Sequence, residues 1–86
     1  MSKQYIITSI KPMSGRSYTS RPLTLEEAID YYSYTLEVGA SWAHEKGNKK
    51  IDRNPKTIKS LITNLNNASS NAARNGCGDY YEAVAA

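Results

Sequence analysis

The chain has 86 residues, 40% of them hydrophobic and 22% charged, with a formal net charge of +3. That length holds one modest core and a single domain, residues 1–86, because a chain of this size buries only about 60–65% of the surface it exposes when unfolded. The composition excludes a membrane span, which needs roughly 18 uninterrupted apolar residues. The single cysteine, Cys77, and single histidine, His44, exclude an internal disulfide and argue against structural zinc.

In chain order, Lys3 precedes an apolar run of only "YII", far short of a secretory signal, so the expected location is the cytoplasm. Residues 4–10, "QYIITSI", are rich in β-branched and aromatic side chains and read as a strand, followed by the turn-forming "KPMSG". "RSYTSR" can return as a short second strand and close a hairpin. The sequence "PLTLEEAID" then starts a helix, with Thr24 as N-cap, Glu27 reaching back to the cap amide, and Leu23 stapled on Ala28. This helix is expected over Leu25 to Lys46, ending at Gly47 as a left-handed cap followed by Asn48.

A second helix is expected after Asn54 as cap and Pro55 at the first helical position, where the missing N–H costs nothing. Ile58, Leu61, Ile62, Leu65, Ala68 and Ala72 give it one narrow apolar stripe, and "NGCG" at 75–78 stops it. The closing "DYYEAVAA" reads as a strand of about five residues that pairs with the first. The fold class is α+β: a small two-layer domain with two helices on one face of a two- or three-stranded antiparallel sheet, in the order β-(β)-α-α-β.

The first helix carries more apolar surface than one interface needs. At about 100° per residue, Leu25, Ile29, Tyr32, Leu36, Ala40 and Ala43 share one arc that belongs on the sheet. Tyr31, Tyr34, Val38 and Trp42 form a second row more than a quarter turn away. That row can pack on the second helix, meet another copy of the chain, or bind a different macromolecule through its large aromatic rings. A mixture of these has Tyr31 and Val38 covered by the second helix while Tyr34 and Trp42 stay at the rim. Gly39, between the rows, either allows another backbone to approach closely or is simply a residue that weakens the helix by about 1 kcal/mol.

Charge is segregated along the chain. Residues 24–45 carry five acidic and no basic side chains, whereas Lys46, Lys49, Lys50, Arg53, Lys56 and Lys59 crowd the segment between the helices with Asp52 alone against them. Six cations opening a helix N-terminus are a candidate phosphate site, with Arg16 and Arg21 joining if the hairpin lies nearby, and equally an ordinary solvated loop. No Walker loop, helix-turn-helix spacing or RNA-binding aromatic motif is present. His44 beside Glu45 has no nucleophile one turn away, and Cys77 follows a helix C-terminus, where the dipole disfavours a thiolate. Neither points to catalysis, so the chain is expected to be no enzyme and to need no cofactor. Asn64, Asn66, Asn67, Asn71 and Asn75 give the second helix a polar side built from poor helix formers, either a hydrogen-bonding surface for a partner or the trace of an AT-rich coding sequence.

The short length, the opening "KQYIITSIKP" and the tyrosine-rich helix after "LTLEEAI" together resemble the small accessory proteins of tailed bacteriophages in style. Such proteins commonly bind and block a host enzyme or defence complex, CRISPR effectors among them. The resemblance implies a non-enzymatic protein-binding module, an inhibitor or modulator working in the host cytoplasm, and the helix projection and charge run assign its contacts to Tyr31, Tyr34, Val38 and Trp42 with the basic loop. The alternative is a small basic nucleic-acid-binding protein using that loop. The corresponding partners are a host protein or complex, a second copy of the chain, or a weakly held nucleic acid, with no membrane.

Overall fold

The β-branched and aromatic side chains of "YIITSIK" favour extended backbone and form β1, Tyr5–Lys11, the central strand of a sheet ordered β2-β1-β3 in the computed structural model. The structure describes residues 3–12, 14–46, 50–72 and 79–86, without the side chains of 42–46 and 72. The expected caps at Gly47 and "NGCG" therefore lie outside the described residues, as do Lys49 and Cys77. β2, Arg16–Thr19, returns antiparallel to β1 with Ser9 opposite Tyr18, and Gly15 takes the positive φ (69°) that the turn requires. The hairpin expected from "RSYTSR" therefore forms. β3, Tyr80–Ala85, pairs antiparallel with the other side of β1, with Ile7 opposite Ala83 and Ser9 opposite Tyr81.

Beyond β2 the chain stays beside β1. Ser20 N–H donates to the Ile7 carbonyl at 2.8 Å while the Ser20 hydroxyl accepts from Ile7 N–H at 2.9 Å. Leu23 and Tyr5 then exchange both backbone bonds, at 2.7 and 2.8 Å. Two residues of β1 thus oppose three of the returning strand, so Ser20–Leu23 bulges, with Pro22 inside the bulge where no N–H is needed. This bulge delivers fully buried Leu23 to the start of α1, Leu25–Tyr31.

The helix start matches the sequence expectation. Glu27 N–H donates to the Thr24 hydroxyl at 3.2 Å and Thr24 N–H donates to the Glu27 carboxylate at 2.9 Å, a reciprocal capping box. These bonds hold the Glu27 carboxyl below the usual carboxylate range. One long helix does not follow, because Tyr32 departs from helical geometry (φ −101°, ψ 14°) and separates α1 from α2, Ser33–Lys46. Hydrogen bonds bridge the break, Tyr32 N–H to Ala28 at 3.0 Å and Leu36 N–H to Tyr32 at 3.1 Å, so i to i−4 bonding runs through Tyr32 on both sides. The Tyr32 ring lies edge-on to Tyr31 (4.8 Å between centroids) and to Tyr81 of β3 (5.8 Å), which anchors the break to the sheet.

α3, Ile58–Ala72, begins later than the "NP" signal indicates. Thr57 is the cap in place of Asn54, its hydroxyl accepting from Ser60 N–H at 3.1 Å. Asn54 is drawn elsewhere: its N–H donates to the Asp52 carboxylate at 2.9 Å in a turn of the Asx kind, and Pro55 is buried instead of opening the helix. The core comprises Ile7, Leu23, Ala28, Leu36, Leu61, Leu65 and Tyr81, with Leu25, Ile29, Tyr32, Ile58 and Ile62 packed against it. Ile7 of β1 and Tyr81 of β3 meet Leu36, Leu61 and Leu65 of the helices in this core, giving the expected two-layer α+β domain with three helical segments instead of two.

Candidate functional site

The α2–α3 crossing decides what the second apolar row is for. A Cβ on Gly39 would overlap the Cβ and Cα of Ala68, so the two helix backbones meet there, and Asn71 Nδ2 donates to the Gly39 carbonyl at 3.3 Å beside the contact. Of the two readings that the sequence leaves open for Gly39, close approach is the one that holds. The position matters: Gly39 borders the same stripe as Leu36, so one face of the first helical unit serves both the sheet and α3. Tyr31 is therefore not a seam residue. It is 61% exposed, Tyr34 is 79% exposed, and Val38 is half-buried. Trp42 continues the row in the backbone of α2, and its side chain lies outside the described residues.

The asparagine side of α3 is likewise corrected, since three of its members turn to internal work. Asn64, 8% exposed, accepts from Asp52 N–H at 2.7 Å and donates to the Ser60 carbonyl at 2.8 Å, pinning the interhelix segment to α3. Asn66 accepts from Tyr81 N–H at 2.7 Å and donates to the Tyr81 carbonyl at 3.2 Å, taking the place of a neighbouring strand at that one residue. Asn71, 6% exposed, is the amide at the helix crossing. Each meets a backbone group outside its own turn of α3: Asn64 in the interhelix segment, Asn66 at the strand edge and Asn71 at the helix crossing.

The basic segment is only partly free. Arg53 pairs with Glu37 of α2 at 3.1 Å, whereas Lys50, Lys56 and Lys59 are exposed. The side chain of Lys46 lies outside the described residues, as does Lys49. Arg16 and Arg21 do not join them: both follow the hairpin on the β2 side of the sheet, α3 packs on β3 across the central strand, and Arg21 sits 3.7 Å from Glu27.

A second polar cluster closes the far end of the sheet. Lys11 Nζ reaches Asp79 at 3.1 and 3.4 Å, the Ser9 hydroxyl donates to Asp79 at 3.3 Å, and Lys11 lies 5.9 Å from the Tyr18 ring. The Asp79 hydrogen bond and charge raise the Lys11 pKa. Burial raises the Tyr81 hydroxyl, and the Asp79 charge adds to it, while the Thr35 and Ser9 hydroxyls pull the other way. Burial pushes Tyr32 up to about 12.

This has a consequence at alkaline pH. The Tyr32 folded pKa lies above its unfolded value of about 10, so its contribution is complete below pH about 10 and is lost as pH rises toward about 12. The Lys11–Asp79 pair acts with the same sign. Melting temperatures measured from pH 8 to 12 should fall across that window, and Tyr32→Phe should reduce the fall without abolishing it. An unchanged fall in the variant would show that the Tyr32 hydroxyl is not the group involved.

Among the described residues no group of three or more His, Cys, Asp and Glu could hold a metal ion, and no helix is long and apolar enough to cross a membrane. The arrangement is an interrupted helical unit presenting tyrosines away from a closed two-layer core. No protein-family model matches the chain, and neither does a curated protein or a solved structure.

Proposed function

We propose that the chain is a non-enzymatic protein-binding module that docks on a larger host enzyme or defence complex, such as a CRISPR effector, in the host cytoplasm and inhibits or modulates it. The row Tyr31, Tyr34, Val38 and Trp42 forms its contact surface. The observation that carries this reading is the exposure of Tyr31 and Tyr34 on a helical unit whose opposite stripe already meets both the sheet and α3. Exposed large rings that the core does not use favour binding, because tyrosine offers wide contact area for few rotatable bonds and is enriched where binding energy concentrates. The host partner class follows from the likeness to phage accessory proteins.

Affinity capture from bacterial lysate, comparing wild type with a Tyr31→Ala/Tyr34→Ala variant of equal melting temperature, tests the proposal. A discrete host complex should be retained by wild type and depleted at least about tenfold by the variant, the loss expected for truncating interface tyrosines worth about 1.4 kcal/mol or more. Equal capture by both proteins removes the row from the interface.

Exposed Lys50, Lys56 and Lys59 near the α3 N-terminus support the alternative nucleic-acid reading, weakened by the Arg53–Glu37 pair. Phosphate contacts are strongest at low salt, so negligible affinity for generic DNA and RNA at low ionic strength eliminates it.

A further inference from the structure

β3 is an edge strand whose backbone groups alternate in direction. Ala86 N–H donates to the Gln4 carbonyl at 3.0 Å, and Ile6 stands opposite Val84, so the even-numbered residues of β3 turn their amides and carbonyls toward β1. Tyr81, Ala83 and Ala85 turn theirs away. Asn66 takes both groups of Tyr81, whereas among the described residues no group meets those of Ala83 and Ala85. Beside this edge, between α3 and β3, runs a groove of about 410 Å³ walled by Ile58, Ile62 and Thr63 on one side and by Tyr80 and Ala83 on the other. Among the described residues Lys59 is the only charged side chain on its wall.

We propose that an extended segment of a partner protein adds to β3 as a fourth strand. Its backbone bonds Ala83 and Ala85, a β-branched or leucine side chain enters the groove between Ile58 and Ile62, and an acidic side chain lies beside Lys59. Two outward-facing residues stand about 6.8 Å apart along a strand, so a three-residue stretch of ligand can make four backbone hydrogen bonds. Strand addition of this kind takes affinity from the main chain and specificity from alternate side chains. The groove volume is in the range of ordinary ligand sites, about 300–1,000 Å³, and Lys59 on its wall favours an acidic side chain there over a basic one.

A second copy of the chain fits this edge poorly. Antiparallel pairing of two β3 edges puts both α3 helices on the same face. Each reaches over its own edge at Asn66 and carries its own Lys59, so the copies would bring helix against helix and like charge toward like charge. An isolated extended segment brings neither. The edge is separate from the tyrosine row, and either surface can fail without the other.

Panning a random dodecapeptide display library on the immobilised full chain tests the proposal. Enriched peptides should alternate β-branched residues and carry Asp or Glu, and on binding they should shift the Ala83 and Ala85 amides in ¹⁵N–¹H spectra and slow their hydrogen exchange. Ala83→Pro removes an N–H that faces away from β1 and should weaken these peptides at least tenfold. If that variant does not fold, N-methylation of the peptide backbone should weaken binding to wild type by the same factor. Lys59→Glu should reverse the preference for acidic peptides. Failure to enrich any peptide, binding that leaves the Ala83 and Ala85 amides unmoved, or light scattering that shows a dimer formed through β3 would each overturn it.

Discussion

Gly39→Val is expected to abolish folding, and Gly39→Ala to destabilise the protein by about 1–3 kcal/mol, the usual cost of overfilling a packed interior. Helix propensity alone gives the opposite sign, since alanine is favoured over glycine inside a helix by about 1 kcal/mol. Sterics outweigh propensity here because the added Cβ overlaps both Cβ and Cα of Ala68, and the backbone of α3 cannot move aside like the tip of a flexible side chain. Ala68→Gly in the Gly39→Ala background should therefore recover only part of the loss: it deletes one overlapping atom and leaves the other. Urea unfolding of wild type, Gly39→Ala, Ala68→Gly and the double variant gives the coupling directly. A Gly39→Ala variant as stable as wild type would mean that α2 and α3 cross elsewhere.

Much of the fold is local enough to be read from the chain. Thr24 with Glu27, Gly15 in the turn after "KPM", and the β-branched run of β1 each state their structure within a few residues, and all three form as expected. Gly39 is legible only as a choice between close approach and a weakened helix, because the atoms that decide it belong to Ala68, far along the chain. The asparagines are illegible for a physical reason. A periodicity argument assigns a polar side chain to the solvent face, but Asn64, Asn66 and Asn71 meet backbone groups 12, 15 and 32 residues away, a match that exists only once the layers have assembled. The same limit explains Asn54. Its cap signal is real, but Thr57 competes three residues later, and the bond from Asp52 to Asn64 settles the competition in favour of the later start. The tyrosine row misleads in the opposite direction: Tyr31 is apolar enough to look like a seam and polar enough to stay in water. Propensity cannot separate those outcomes, and only the placement of α3 against Gly39 does.

Leu36 and Tyr34, two residues apart on α2, provide the strongest test of that placement. Leu36 is 1% exposed within the cluster of Ile7, Leu61 and Leu65, and Leu36→Ala should cost about 2–5 kcal/mol through lost transfer energy and the cavity left behind. An 86-residue domain has roughly 4–13 kcal/mol of stability in total, so this one truncation should remove a large share of it and lower the urea midpoint in proportion. Tyr34→Ala removes a larger side chain, yet at 79% exposure it should change stability by no more than about 0.5 kcal/mol. The contrast separates the two roles of the helix. If the core stripe runs through Leu36 and Gly39, the bulk of the loss lies in stability for Leu36 and in partner binding for Tyr34, and denaturation alongside capture on the same two variants reads both. Comparable destabilisation by Tyr34→Ala would place its ring against α3 and return the tyrosine row to the core.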